Sequence, residues 1–129
     1  MQGALRARLL AASTVTALVG QRVSWLDRPQ GSALPSVTLQ TISDGRPQHF
    51  GGLQDLRPTR VQIDVWAATY ASSRAVAEAV IAAILPAETI NGVRFSRSFI
   101  DSLNDLSERL GETSIYRTSI DVIVWHSLA

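Results

Sequence analysis

The chain contains no cysteine and no lysine. Without cysteine there are no disulfides, no thiol catalysis and no thiolate metal site. Without lysine there is no lysine nucleophile or Schiff base. All 12 basic positions are therefore arginine, a pattern that GC-rich codon usage favours, and they leave a net charge of only +1. So small an imbalance does not point to generic nucleic-acid binding. Histidine is confined to His49 and His126, and neither HExxH nor HxH spacing occurs. A GxSxG elbow, a GxxxxGK[ST] phosphate loop and a GxGxxG turn are also missing. No apolar run approaches the ~20 residues of a membrane-spanning helix, and no membrane role is expected. The first twenty residues carry two arginines and small apolar residues, as a signal peptide does. Arg6 and Arg8 lie among apolar residues at helical spacing, however, and Thr14 and Thr16 interrupt the run. An amphipathic helix is the expected structure.

What is present suits one ordinary domain spanning 1–129: 129 residues, 46% of them hydrophobic. The organising stretch is Val61 to Leu85. Val61, Ile63 and Val65 alternate with Gln62, Asp64 and Trp66, the period of a strand. Ala75, Val76, Ala79, Val80, Ala83 and Ile84 then recur at helical spacing, with Thr69 or Ser72 available as the cap. The C-terminal segment echoes this strand, since Ile120-Asp121-Val122 repeats Ile63-Asp64-Val65 and Trp125 follows nearby.

Taken in order, Gly3 to Ala12 predicts a first helix. Thr14 to Val19 predicts a second short one, capped by Ser13 and stopped by Gly20. Arg22 to Leu26 is extended, and Asp27 to Pro35 is a loop. Ser36 to Ser43 is a strand with no fully apolar face, which suits an edge or a subunit contact. Asp44 to Pro58 is irregular, a length that in a compact domain is usually functional or disordered. It is expected to be a flexible loop, serving either as a plain hairpin tip or as an arm that orders on a partner. Pro86 to Gly92 is a turn, with Asn91-Gly92 favouring positive backbone angles. Val93 to Leu103 is a strand, Asn104 to Thr113 a polar hairpin connection with a helical turn, and Ser114 to His126 the last strand. The expected fold class is α+β, a mainly antiparallel sheet of four to five strands with two main helices on one face.

Candidate chemistry is sparse. Asp64 and Asp121 would share a sheet face if their strands were neighbours, and two carboxylates can hold a divalent metal in a nuclease. Such a site needs further acidic ligands, for which Asp101 and Glu108 are the candidates. The simpler reading pairs each aspartate with an arginine such as Arg60, Arg94 or Arg117. Trp25, Trp66 and Trp125 could stack on sugars or bases, but strand tryptophans more often pack in cores or interfaces. Arg46, Arg57 and Arg60 bracket the long loop and either touch nucleic acid or keep that loop solvated. The residues thus argue for an assembly protein and against a catalyst.

Several segments, in order, resemble a known family. They are Leu5-Arg-Ala-Arg-Leu-Leu10 and Ala17-Leu-Val-Gly-Gln-Arg-Val23, then Leu34-Pro-Ser-Val-Thr-Leu39 and Ile42-Ser-Asp44. Arg60-Val-Gln-Ile-Asp-Val-Trp-Ala67, Ala75-Val-Ala-Glu-Ala-Val80 and Tyr116-Arg-Thr-Ser-Ile-Asp-Val-Ile-Val-Trp-His126 complete the set. Together, over residues 5–126, they resemble the tail-completion, or tail-to-head joining, proteins of long-tailed phages, prophages and phage-derived particles. The resemblance implies a structural virion protein with no catalysis, cofactor or metal. It would form a ring, commonly of six subunits, on the head-proximal end of the tail tube. There it would stop tube growth and receive the neck of the filled head. Its partners would be further copies of itself, the tube protein and a neck protein, with DNA only passing through the lumen. It would reside at the tail–neck junction of the virion, and in the host cytoplasm during assembly. Under this reading Arg46, His49, Phe50, Leu53, Leu56 and Arg57 of the long loop, with Trp66 and Trp125, are the candidate partner contacts. The alternatives are a head-side stopper of the neck and, from another class, the metal-dependent nuclease using Asp64 and Asp121.

Overall fold

The computed structural model describes residues 1–27, 33–53, 55–110 and 113–129, apart from the side chains of Leu53 and Leu110. Helices α1 (Gln2–Ala11) and α2 (Ser13–Val19) open the chain. Ser13 is not the cap of α2. That position falls to Ala12, which has no capping side chain, and Gly20 ends the helix at φ 59°. Strands β1 (Val23–Trp25) and β2 (Ser36–Asp44) follow. Most of the expected loop between them lies outside the described residues. The segment expected to be irregular contains a small hairpin, β3 (Gln48–His49) and β4 (Gly52–Leu53), and releases the chain into β5 (Arg57–Ala67) earlier than its alternation suggests.

Helix α3 (Tyr70–Ile84) starts where Thr69 Oγ1 accepts the Ser72 N–H at 3.1 Å, as expected. Strands β6 (Glu88–Ile90) and β7 (Val93–Phe95) form a hairpin about Asn91 and Gly92, both at positive φ, which suits a tight two-residue turn. Pro86 to Gly92 is thus only partly a turn. Strand β8 (Phe99–Leu110) and strand β9 (Thr113–Leu128) complete the chain. The expected strand Val93–Leu103 is therefore two strands, and the expected connection at 104–113 is mostly the outer half of β8.

The main sheet runs β1-β2-β5-β9-β7-β6, with β8 beside β9 along most of the edge that β7 also uses. It has seven strands rather than four or five, and it is mixed, because β1 lies parallel to β2 while the other pairs are antiparallel. Among the described residues three helices accompany it, the two main ones α1 and α3 and the short α2 between α1 and β1. The core lies on their side. Leu5, Leu9, Val15, Val19, Val76, Val80 and Ile84 meet Val37, Leu39, Val61, Ile63, Val65, Ile120, Val122 and Val124, all fully buried. Arg8 belongs to this layer as well. It is 2% exposed, 5.4 Å over the Phe95 ring, bonded to the Pro86 carbonyl and 3.4 Å from Glu88. Burial lowers the pKa of its guanidinium, and Glu88 partly offsets that. Among the described residues no helix is long and apolar enough to cross a membrane.

Candidate functional site

The helices cover one face of the sheet. The alternation of β5 and β9 fixes what the other face presents: Pro58, Arg60, Gln62, Asp64 and Trp66 stand opposite Trp125, Ile123, Asp121, Ser119 and Arg117. β8 adds Phe99 opposite Ile123 and Leu106 opposite Arg117. The centre of this face is polar. Arg60 Nε donates to Asp121 Oδ1 at 3.1 Å, and its Nη2 to Asp101 Oδ2 at 3.0 Å. Asp64 accepts from Gln62 Nε2 at 3.0 Å and faces Arg117 Nε at 4.0 Å. Asp64 and Asp121 are thus diagonal neighbours, each engaged by an arginine, as the simpler reading held. Among the described residues, no three His, Cys, Asp or Glu side chains converge as a metal site would require.

Grooves lie at the two ends. At one, Leu56, Ser96, Arg97, Phe99 and Trp125 line an open apolar groove of about 350 Å3. At the other, Trp66, Leu106 and Ile115 with Ser107, Glu108 and Arg117 line a groove of mixed polarity of about 330 Å3. Arg117 stacks 5.0 Å over the Trp66 ring, and Trp66 Nε1 donates to Thr38 Oγ1 at 3.0 Å. Eight residues of β5 separate the two ends, roughly 26 Å at ~3.3 Å per residue. Trp25 lies elsewhere, packed against the core and bonded to the Gln2 carbonyl. The three tryptophans therefore do not form one stacking platform.

The long segment is an arm pinned at its base. The Gly45 N–H donates to the Pro58 carbonyl at 2.8 Å, and a Cβ at Gly45 would stand 2.7 Å from that oxygen. Arg46 pairs with Asp44 at 2.7 Å. His49 Nδ1 accepts the Gly51 N–H at 3.0 Å, shaping the tip. Phe50 beside it is fully exposed. Leu56 is partly exposed, and Arg57, half-buried, opens β5 opposite His126. The Leu53 side chain lies outside the described residues.

Sequence reasoning did not find the hydrogen-bonded chain at the base of this arm. The Thr59 hydroxyl donates to Asp44 Oδ1 at 3.2 Å and lies 2.7 Å from His126 Nε2. Because the Thr59 proton goes to the carboxylate, the hydroxyl must accept from Nε2–H, which sets the tautomer of His126. Burial, then the Arg57 and N-terminal charges, hold the His126 pKa below the ordinary imidazole value against the opposing pull of Asp44. The Asp44 carboxyl is lowered: burial opposes this, but the Arg46 hydrogen bond, the Arg57 and Arg46 charges and Thr59 outweigh it. His126 is buried, near the end of β9 and beside Trp125. A second missed cluster is Asp105, which receives the Tyr70 hydroxyl at 2.9 Å and Thr118 Oγ1 at 3.3 Å and sits 3.6 Å from Arg74. It ties β8 to the start of α3.

One sheet face closed by helices and the other bearing grooves at both ends of an ion-paired centre define a small α+β packing domain whose chemistry is that of contact. The model of the family described as Tail completion protein gp17 matches residues 3–127, and the chain belongs to that family. Its role is accordingly a structural one in a phage-type tail. Among solved structures, a chain from "Virion of native gene transfer agent (GTA) particle" superposes with a TM-score of 0.76 at 21% identity. The match covers 98% of this chain and 94% of that one, and at this identity it speaks for the fold. No curated protein matches the chain.

Proposed function

We propose that the protein is a tail terminator, acting as a single unit over 1–129. Copies of it, six in the expected ring, cap the head-proximal end of the tail tube, stop tube growth and receive the neck of the filled head. The observation that carries this is the family match across residues 3–127, from α1 to the end of β9. The solved relative in fold comes from a gene transfer agent virion, which agrees with a place in such a particle. The pinned arm with Phe50 at its tip supports a segment that orders on a tube protein or a neighbouring copy, where its ordering cost is met by the contact. The two ends of the open sheet face, around Trp66 and Trp125, offer the distinct patches that head-to-tail subunits need. Arg46, His49, Leu53, Leu56 and Arg57 belong to the arm side of this contact surface. DNA only passes the lumen. The protein acts at the tail–neck junction after assembly in the host cytoplasm, without cofactor or catalysis.

Electron microscopy of particles lacking the gene tests this. The expected result is filled heads separate from headless tails of uncontrolled length. Tails of normal length beside emptied heads would identify a head-side stopper instead. Intact, infectious particles would overturn the structural reading.

A further inference from the structure

The main sheet is open on both sides, and the two openings match. β8 is twelve residues long and pairs with β9 on one edge; among the described residues no strand pairs with its other edge. Its first half is anchored, since Ile100 and Leu103 pack against the core and Asp105 is bound to Tyr70 and Thr118. Every residue from Asn104 to Arg109 is nonetheless exposed. β5 ends opposite Tyr116, so the tip of β8 and β9 continues as a two-stranded ribbon, which alone is marginal in water. Proteins usually blunt a free edge with lysine, proline, a bulge or a cover. The bulge in β8 comes at its start, between Ile100 and Ser102. From Ser102 onward the register is regular, without proline or lysine; Asp105 is taken up by Tyr70, Thr118 and Arg74, the charges Glu108 and Arg109 cancel, and Leu106 is 46% exposed.

On the far side of the sheet, β1 covers only Val37–Leu39 of β2. Gln40, Thr41, Ser43 and Asp44 pair with β5 alone among the described residues, a bulge between Thr41 and Ser43 leaves Ile42 out of that register, and Gln40, Ile42 and Ser43 are exposed. Gln40 to Ser43 carry no charge, so nothing there repels a strand of mixed sign. Direction also fits. β2 is antiparallel to β5, β5 to β9 and β9 to β8, so β8 runs antiparallel to β2. Rotation about an axis along the strands therefore brings β8 of one copy beside β2 of the next as an antiparallel pair within one continuous sheet. Such a contact is head-to-tail, and repeating it gives a ring where the rotation closes on itself.

We infer that the outer edge of β8 adds to the Gln40–Asp44 edge of a second copy of this chain. The occupant is another copy because both edges, of matching polarity and each with an exposed apolar residue, belong to one chain. This deepens the terminator reading and rests on it.

The absence of native cysteine makes the test clean. Ser43→Cys is combined in turn with Asn104→Cys, Leu106→Cys or Glu108→Cys, all on the sheet face away from the helices, in otherwise complete particles. Facing residues of antiparallel strands stand about 4.5–5.5 Å apart, within the roughly 4.4–6.8 Å that a disulfide spans. Mild oxidation followed by a denaturing, non-reducing gel is expected to give a reducible ladder of covalent multimers in at least one double variant. The single-cysteine variants should remain monomeric. Monomer throughout, with the protein still present in joined particles, would overturn the edge pairing and leave the terminator reading standing. That reading fails separately, through intact particles on gene deletion. As a second check, Asn104→Lys with Leu106→Lys should keep the melting temperature of the isolated chain and lower the yield of joined particles at least tenfold; an unchanged yield would also overturn the inference.

Discussion

The two faces of the central strands are built from alternate residues of the same segments and held by different physics. On the helix side, Val61, Ile63, Val65, Ile120, Val122 and Val124 are fully buried, and the energy there is transfer of apolar area from water, of order 25 cal/mol per Å2. On the other side, Arg60 and Asp121 meet as a half-exposed ion pair, worth little because water screens it, while the buried Asp64 is held by Gln62 and faces Arg117. Trp66 and Trp125 there are larger than any core side chain, yet each keeps part of its surface open. One face is therefore the source of stability, and the other can be spent on recognition without unfolding the domain.

Substitutions can break or sharpen that contrast. Ile63→Ala should cost the most, about 2–5 kcal/mol in urea unfolding, because it leaves a cavity between sheet and helices. A cost below 1 kcal/mol would mean the helix layer is loosely packed. The buried His126 should make stability depend on pH. Its pKa in the fold lies below the unfolded value of about 6.5. Its contribution is thus complete above that pH and is lost as pH falls through it, with a limiting slope of about 1.4 kcal/mol per pH unit for one proton. His126→Gln should flatten unfolding curves between pH 7 and 5, and an unaltered slope would assign the dependence to other groups. Thr69→Ala removes the cap of α3 and should cost about 1 kcal/mol. Arg60→Ala, on the open face, should cost about 0–1 kcal/mol despite breaking two ion pairs. Smallest of all, Phe50→Ser should shift stability by no more than about 0.5 kcal/mol, because the ring touches little in the isolated chain. The same change should lower the yield of joined particles, and a large loss of stability would mean the arm packs on its own domain.

The accuracy of the sequence reading followed the strength of each local signal. Helix α3 announced itself through a clean apolar stripe and a threonine cap, and β5 and β9 through alternation that one-sided burial imposes. The Asn91-Gly92 turn was legible because few other residues accept its angles. β8 was cut short at Leu103 because an edge strand wet on both faces has no period of two to reveal it. The hairpin in the arm and the start of β5 at Arg57 were hidden by glycine and Pro58, which speak against a strand in isolation. Of the proposed contact surface, the arm and the two strand tryptophans were visible as residue types, but their separation was not. The bonds from Thr59 to Asp44 and His126 join residues 15 and 67 positions apart and leave no mark on local sequence.

Composition and periodicity alone thus pointed to an α+β chain without thiol or lysine chemistry and identified its central strands; the likeness to tail-completion proteins rests instead on the order of particular segments. The tertiary structure alone decided that β1 runs parallel to β2, that Asp64 and Asp121 are taken up by arginines, and that, among the described residues, no strand covers the outer edge of β8 or Gln40–Asp44. The division has one physical cause. Periodicity records which side of an element meets the core, whereas strand order, diagonal pairing and free edges depend on which distant segments lie beside one another.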